Sequence, residues 1–296
     1  MSVPQRIAIT GASGLIGTAL VGHLKSEGHT VQRLVRRAPV SADEVQWDPQ
    51  TGFVDLEPLR GVDAIIHLAG VGVGDKRWNK KYKSEILNSR LLGTTAIANA
   101  VAELKPQVFI SSSAIGWYGE SGNRAVVETD RAGDDFLAAV CREWEAAADL
   151  AGDIRTVKIR TGLVLDPTGG ALGKMLPLFR LGLGGKMGNG KQWWSWITLH
   201  DQIRAIVFAL ENPISGPVNL TAPNPVTNQE FTSALARAMH RPALFPAPGI
   251  ALKLALGGFS SEILGSKRVI PHVLQEAGFT WDYPHISEAL AQLVQD

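Results

Sequence analysis

Short apolar runs alternate with segments of helical periodicity through the first two thirds of the chain. Residues 7–10, 31–35, 64–68, 108–111, 156–159 and 218–220 read as strands. Between them, residues 15–26, 80–104, 136–150, 200–210 and 229–239 carry the three- and four-residue spacing of helices. In the first of these, Leu20, Val21 and Leu24 fall on one face. This alternation predicts an α/β fold: a parallel sheet with helices on both sides, doubly wound, with ligands expected beyond the carboxyl ends of the strands. Two stretches break the pattern. Residues 182–190 hold five glycines and lead into Trp193, Trp194 and Trp196. From Arg241 the chain is richer in proline, with Pro242, Pro246 and Pro248. Residues 1–240 are therefore expected to form the main domain, with lobe segments from about 166 onward, and 241–296 a C-terminal extension packed on the substrate side.

The first strand runs straight into Gly11-Ala12-Ser13-Gly14-Leu15-Ile16-Gly17 and then a helix. Glycines so placed permit a tight turn, close backbone approach to a pyrophosphate and tight helix–strand packing, and the free N–H groups of the helix start meet the anion. The spacing is not the usual G-x-G-x-x-G, but the strand before it and the helix after it point to dinucleotide binding. Enzymes that use NAD place an acid some 20 residues beyond this turn to hold the ribose hydroxyls. Here the second strand ends Val35-Arg36-Arg37. Cations there suit the 2′-phosphate of NADP(H), with Arg36 the main determinant, or else form a solvated strand end.

Composition narrows the classes. With 296 residues, 45% hydrophobic content and a formal charge of +1, the chain can bury a large core, and nothing in its charge favours nucleic acid or an anionic membrane. The single Cys141 rules out an internal disulfide and fits a reducing compartment. The apolar stretches 86–104 and 248–264 are interrupted by polar residues and read as amphipathic helices. A strand beginning so early leaves no room for a signal peptide, so a cytoplasmic protein is expected. The histidines lack metal-site spacing, and no metal is expected.

Taken in order, the glycine turn, His67-Leu68-Ala69-Gly70, Ser111-Ser112-Ser113, Trp117-Tyr118-Gly119, Arg160-Thr161-Gly162, the run from Trp196 to Asp201 and the run from Lys267 to Pro271 resemble the extended short-chain dehydrogenase/reductase superfamily. Within it the chain is similar to the atypical epimerase family subgroup that carries a C-terminal extension. The resemblance implies a Rossmann-type cofactor domain, a smaller C-terminal substrate lobe and a nicotinamide cofactor. It implies that Ser13, Leu15 and Ile16 present backbone groups to the pyrophosphate and that Leu68 and Ala69 line the adenosine-side ribose. Gly70, Glu85, Arg90, Ser111, Arg160, Gly162 and Val164 are further positions implied at the cofactor. Extended relatives carry asparagine where Arg90 aligns, so a cofactor contact and a surface ion pair both stay open for it. Relatives also often dimerise through the helices matching 80–104 and 136–150, which makes a homodimer an option here.

Working members place Tyr-x-x-x-Lys on one helix face, the lysine lowering the tyrosine pKa for proton exchange. Four residues beyond Tyr82, Tyr118 and Tyr283 stand Ile86, Gly122 and Ser287, so the pair is absent. In the helix that should carry it, Leu137 and Cys141 occupy the two places when Glu145 is aligned with the acid that follows. Ser113 and Tyr118 are the remaining candidates for handling a substrate oxygen, with Tyr118 expected near an ordinary pKa of ~10. Packing is the other reading of Tyr118, and core or strand-end roles are the expectation for Cys141 and His67. Lys174, Arg180, Lys186 and Lys191 flank the glycine-rich loop and its tryptophans; they either close over an anionic, partly planar substrate or form a surface loop beside an aromatic cluster. Two functional classes follow: an NADPH-dependent oxidoreductase or epimerase with non-standard proton delivery, or an NADPH-binding regulator that acts through a protein partner.

Overall fold

The computed structural model describes residues 3–295. The chain begins β1 (Arg6–Thr10), α1 (Leu15–Ser26), β2 (Thr30–Val35), β3 (Glu44–Asp48), β4 (Phe53–Val54), β5 (Ala64–His67), α2 (Lys80–Leu104) and β6 (Val108–Ala114). It continues β7 (Ala125–Val126), α3 (Phe136–Ala148), β8 (Thr156–Thr161), β9 (Leu163–Asp166), α4 (Gly170–Arg180), β10 (Trp193–Trp194), β11 (Trp196–Thr198), α5 (Leu199–Glu211) and β12 (Gly216–Leu220). The last part holds β13 (Val226–Thr227), α6 (Asn228–Ala238), α7 (Gly249–Leu256), α8 (Ser260–Leu264), β14 (Arg268–Val269), α9 (His272–Glu276) and α10 (Ile286–Gln295).

Eight strands form the central sheet in the order β12-β8-β6-β5-β1-β2-β3-β4, and all neighbours are parallel except β3 and β4. The strand order reverses direction at β1, which places a crevice between β1 and β5. Both faces are buried, and the two-residue alternation of each strand divides its side chains between them. Ile7, Ile9, Ile66 and Ile110 pack with Leu20 and Leu24 of α1 and Ile203 and Ile206 of α5. Ala8, Ile65 and Phe109 pack on the other face with Ile97 and Val101 of α2 and Ala148 of α3.

Four helix starts are closed by side chains. Asn79 caps α2, Asp135 caps α3, Thr198 caps α5, and Thr227 with Glu230 forms a capping box on α6. The start of α1 has Gly14 in that position and no side-chain cap. The C-terminal segment is tied down at several points: β14 pairs with β7, Ser195 Oγ donates to Lys267 O and accepts from Val269 N, and Ala289 and Leu290 of α10 pack with Phe231 and Leu235 of α6.

Several elements depart from the periodic reading. β3, β4, β9 and α4 lay outside it, because two- to five-residue strands and a glycine-started helix leave little pattern. The helix expected through 248–264 divides at Gly257, whose φ of +59° breaks it into α7 and α8. Among the described residues no helix is long and apolar enough to cross a membrane.

His67 pins the β1–β5 crevice. Thr10 Oγ1 accepts the N–H groups of Leu68 and Ala69, at 3.1 and 3.3 Å, leaving its own proton for Nδ1 of His67 at 2.7 Å. Desolvation pushes the His67 pKa down to about 3, against about 6.5 in an unfolded chain. Between those values the unfolded chain binds a proton that the native protein does not, so this site lowers stability as pH falls. We expect His67→Asn to be about 1 kcal/mol less stable near pH 7 and to lose less stability on acidification to about pH 5, by urea unfolding. Parallel losses in both proteins would refute the assignment.

Candidate functional site

Beyond the carboxyl ends of β1, β5, β6 and β8 lies a cavity of about 370 Å³, lined among others by Gly11, Gly14, Leu15, Ile16, Gly17, Leu68, Gly162 and Val164. The glycine turn is shaped by contact. A Cβ on Gly17 would stand 2.1 Å from Gly11 O, and one on Gly11, which has φ +70°, would stand 2.8 Å from the Leu68 carbonyl carbon. A Cβ on Gly14 would meet only Gly11 O at 3.4 Å, so its value lies elsewhere, in leaving the start of α1 uncapped and its N–H groups open to the cavity. Ser13 is exposed in the same turn. The start of α4 closes one wall, with Gly170 and Ala171 lining the cavity and Gly169 packed on Leu15.

At the end of β2 the two arginines have different roles. Arg37 forks onto Glu44, both bonds 2.7 Å, and Glu44 also accepts Val40 N. The bound guanidinium holds the Glu44 pKa down to about 2. Arg36, one residue beyond Val35, is exposed and makes no hydrogen bond or ion pair among the described residues.

Of the three consecutive serines in β6, Ser112 lines the cavity, as do Ile159 and Thr161 of β8. Ser113 pairs with Arg160 across the β6–β8 ladder, so both side chains project from the opposite face, toward α3. There they enter a buried network. Arg160, 2% exposed, forks onto Glu145, 5% exposed, at 2.8 and 2.9 Å. Ser113 Oγ donates to the same carboxylate at 2.6 Å. Arg160 Nη1 donates to Tyr118 Oη and to Glu128 O, and its guanidinium lies 3.9 Å over the Trp117 ring. Tyr118 Oη in turn donates to Asn219 Oδ1 at 2.7 Å.

Arg160 was expected at the cofactor and Ser113 and Tyr118 at a substrate oxygen; here four N–H groups of Arg160 are engaged by the protein, and the hydroxyls of Ser113 and Tyr118 are held inside the same network. Burial pushes the Tyr118 pKa above its ordinary value, with Arg160 opposing the shift only in part, so the phenol is a poor proton exchanger. Cys141, also buried, has its pKa pushed up to about 12, chiefly by desolvation. Ser111 is buried as well, and its Oγ has no partner. Glu85 faces Lys76 at 3.8 Å.

Arg90 reaches from α2 beneath the loop that follows β5. Its Nη1 donates to Val71 O and Ile86 O, its guanidinium lies 4.7 Å over the Trp144 ring, and a Cβ on Gly70 would stand 3.6 Å from its Cζ. Of the two readings left open for Arg90, the ion pair with a neighbouring acid is not formed among the described residues. Ala69 sits between Leu68 and this point, its N–H on Thr10.

The glycine-rich stretch is built into the protein. Phe245 N donates to Gly184 O, Ala247 N to Lys186 O and Gly188 N to Ala247 O, and a Cβ on Gly185 would stand 2.0 Å from Phe245 O. Trp193, Trp194 and Trp196 donate their indole N–H groups to Asn123, Ile263 and Asn224, which ties the aromatic run to neighbouring loops. Lys174 reaches Gly74 O at 3.4 Å, while Arg180 and Lys191 are exposed. His200, Asp201 and Asp282 bring ligand-type atoms within 4.8 Å of one another, but Arg204 lies against both carboxylates and makes the group an ion-pair cluster.

Six cavity-lining residues escaped the sequence reading: Ser112, Ile159, Thr161, Leu163, Gly170 and Ala171. Strand parity carried a usable signal for Ser112, since 108, 110 and 112 alternate with 109, 111 and 113.

Comparison with known proteins agrees with this geometry. The model of the NAD dependent epimerase/dehydratase family matches residues 7–221, and one described as a domain of unknown function, DUF1731, matches 247–293. The chain is 45% identical over 288 residues to epimerase family protein Mb2239 of Mycobacterium bovis, covering 96% of each. It is 36% identical to the epimerase family protein SDR39U1 of Bos taurus, covering 98% of this chain and 100% of that one. The crystal structure of human epimerase family protein SDR39U1, isoform 2, with NADPH superposes with a TM-score of 0.91 at 33% identity, covering 98% of this chain and 99% of the other.

The network is testable by itself. Removing one member of a buried ion pair leaves a charge without a partner, so Arg160→Met is expected to cost about 3–5 kcal/mol in chemical denaturation. Adding Glu145→Leu to Arg160→Met should recover much of that loss; a double variant less stable than the single one would contradict the pairing.

Proposed function

Because the chain belongs to the NAD dependent epimerase/dehydratase family, we propose that it is an NADPH-dependent oxidoreductase or epimerase acting on a small anionic substrate. The observation that carries this reading is the cavity itself. One end opens on the uncapped start of α1, which suits a pyrophosphate, and the other reaches hydroxyls at the ends of β6 and β8. The residues fit the cofactor: Gly11 and Gly17 admit no Cβ, and Arg36 stands free where a 2′-phosphate would lie. A related protein crystallised with NADPH supports the choice of the phosphorylated dinucleotide.

When bound, the nicotinamide supplies or accepts a hydride, and the protein orients it and excludes water. With Ser113 and Tyr118 held in the buried network, the hydroxyls that face the cavity are those of Ser112 and Thr161. Thr161 Oγ1 accepts from Gln202 Nε2 at 3.2 Å, so its own proton is free to donate. These two hydroxyls are the proposed partners of a substrate oxygen, and neither has a lysine beside it to make it a strong acid or base.

That weakness favours a second reading, in which the protein binds NADPH and acts as a regulator. Incubating protein loaded with NADPH deuterated at the transferable position with fractionated cell metabolites separates the two. Deuterium appearing in a metabolite supports the enzyme, and label lost and regained points to an epimerase. Full retention with NADPH tightly bound supports the regulator.

Cofactor choice is tested at β2. Wild type is expected to bind NADPH more tightly than NADH, and Arg36→Ala to lose roughly tenfold of that preference, measured by nicotinamide fluorescence. Arg37→Ala should change it less, because that guanidinium is engaged by Glu44. Equal affinity for the two cofactors in wild type would overturn the assignment.

A further inference from the structure

Twelve large apolar side chains are exposed among the described residues, and seven of them fall between residues 178 and 254. Leu178 is exposed on α4, with Leu181 and Leu183 just beyond its end. Leu244 and Phe245 precede α7, and Ile250 and Leu254 project from it one turn apart. An apolar helix normally hides one face against a core. In α7 six of the eight residues are apolar and none is buried.

These segments form one face. Gly184 O and Lys186 O accept the N–H groups of Phe245 and Ala247, at 3.2 and 2.8 Å, which sets the chain after α4 against the chain before α7. At the other end the loop before α2 joins the two helices. Lys174 of α4 reaches Gly74 O, a Cβ on Gly74 would meet the Phe259 ring, and Trp78 bridges to Gly257 at the end of α7.

Charge on this face has one sign. Between Asp166 and Asp201, and again between Glu230 and Glu262, the chain holds seven lysines and arginines and no acid. Arg180, Arg241 and Lys253 are exposed and make no ion pair among the described residues. Residues 75–85, beside the end of α7, add five cations against two acids. The net charge of +1 averages over this segregation.

Exposed apolar side chains among unpaired cations match an anionic bilayer in both respects: the apolar groups reach the acyl boundary while the cations meet the headgroups. Nucleic acid would leave the leucines unserved, and a second copy of the chain would set like charges against each other. Leu181, Leu244, Ile250 and Leu254 are 72–76% exposed and so protrude, which suits a bilayer surface better than the packed interface of a protein partner. Among the described residues no helix is long and apolar enough to cross, so the contact is interfacial. We propose that the face formed by α4, the segments 181–186 and 241–248, and α7 docks on the surface of an anionic lipid bilayer. This docking needs neither the nicotinamide nor the cavity.

The full chain is floated with vesicles of phosphatidylcholine alone and of phosphatidylcholine mixed equally with phosphatidylglycerol, at low and high salt, with thermal unfolding to show that each variant is folded. Wild type should float with the anionic vesicles, stay behind with the neutral ones, and be released by salt. Ile250→Ser combined with Leu254→Ser should lose most of the binding. Each cation near such a surface contributes roughly fivefold, so Arg241→Gln combined with Lys253→Gln should weaken it by roughly 25-fold. Leu150→Ser, at a leucine exposed after α3, should bind as wild type does. Folded wild type that floats with neither vesicle, or equally with both, overturns the proposal, as does an equal loss in Leu150→Ser. Wild type that stays off vesicles but self-associates through Ile250 and Leu254 assigns the face to a second copy. A monomer that stays off vesicles leaves the face to a protein partner, and both of these results overturn docking on lipid.

Discussion

An ion pair buried as deeply as Arg160 and Glu145 is tolerable only if its other donors and acceptors are satisfied, since attraction between the charges barely offsets their lost hydration. Here that demand recruits residues from most layers of the molecule. Ser113 comes from β6, Glu145 from α3, Arg160 from β8 and Asn219 from β12, with Tyr118 and Glu128 from the intervening loops. The network reaches the C-terminal segment too. Glu128 Oε1 accepts Asn219 N and Val273 N, and Asn219 Nδ2 donates to Ile270 O. One electrostatic requirement thus holds sheet, helix layer and C-terminal segment in register.

The same requirement shapes the chemistry. The hydroxyls of Ser113 and Tyr118, which have the right residue types for catalysis, spend their protons on Glu145 and Asn219 inside the network. What is left open collects at the β1–β5 crevice and beside it: the uncapped start of α1, the guanidinium of Arg36, and the unpaired edge of Arg90. All three offer N–H donors and positive potential. A protein of net charge +1 therefore presents a local surface of donors and positive potential that no overall charge count reveals.

Much of the architecture was legible along the chain. The long helices and the six sheet strands with strong apolar runs followed from periodicity, and the glycine turn followed from its place between a strand and a helix. In the site, Gly11, Gly14, Gly17, Leu68, Gly162 and Val164 line the cavity. Arg36 was ranked above Arg37 from the sequence, but the reason was not legible: Glu44 takes the Arg37 guanidinium from β3, a strand too short to announce itself. Ser113 was chosen over Ser112 for a similar reason. Adjacent strand residues face opposite ways; parity separates Ser112 from Ser113, and the fold shows that the face of Ser112 is the one lining the cavity.

The sequence by itself determined what local sterics and periodicity control: a doubly wound sheet, a glycine turn between its first strand and first helix, and the absence of a Tyr-x-x-x-Lys pair. Tertiary structure alone decided which polar side chains are free. Arg160, Tyr118 and Ser113 meet partners 15 to 101 residues away, and Arg90 pairs with no acid among the described residues. A hydrogen bond exists only between groups that folding brings within about 3 Å of each other, and residue type along the chain carries no record of that distance.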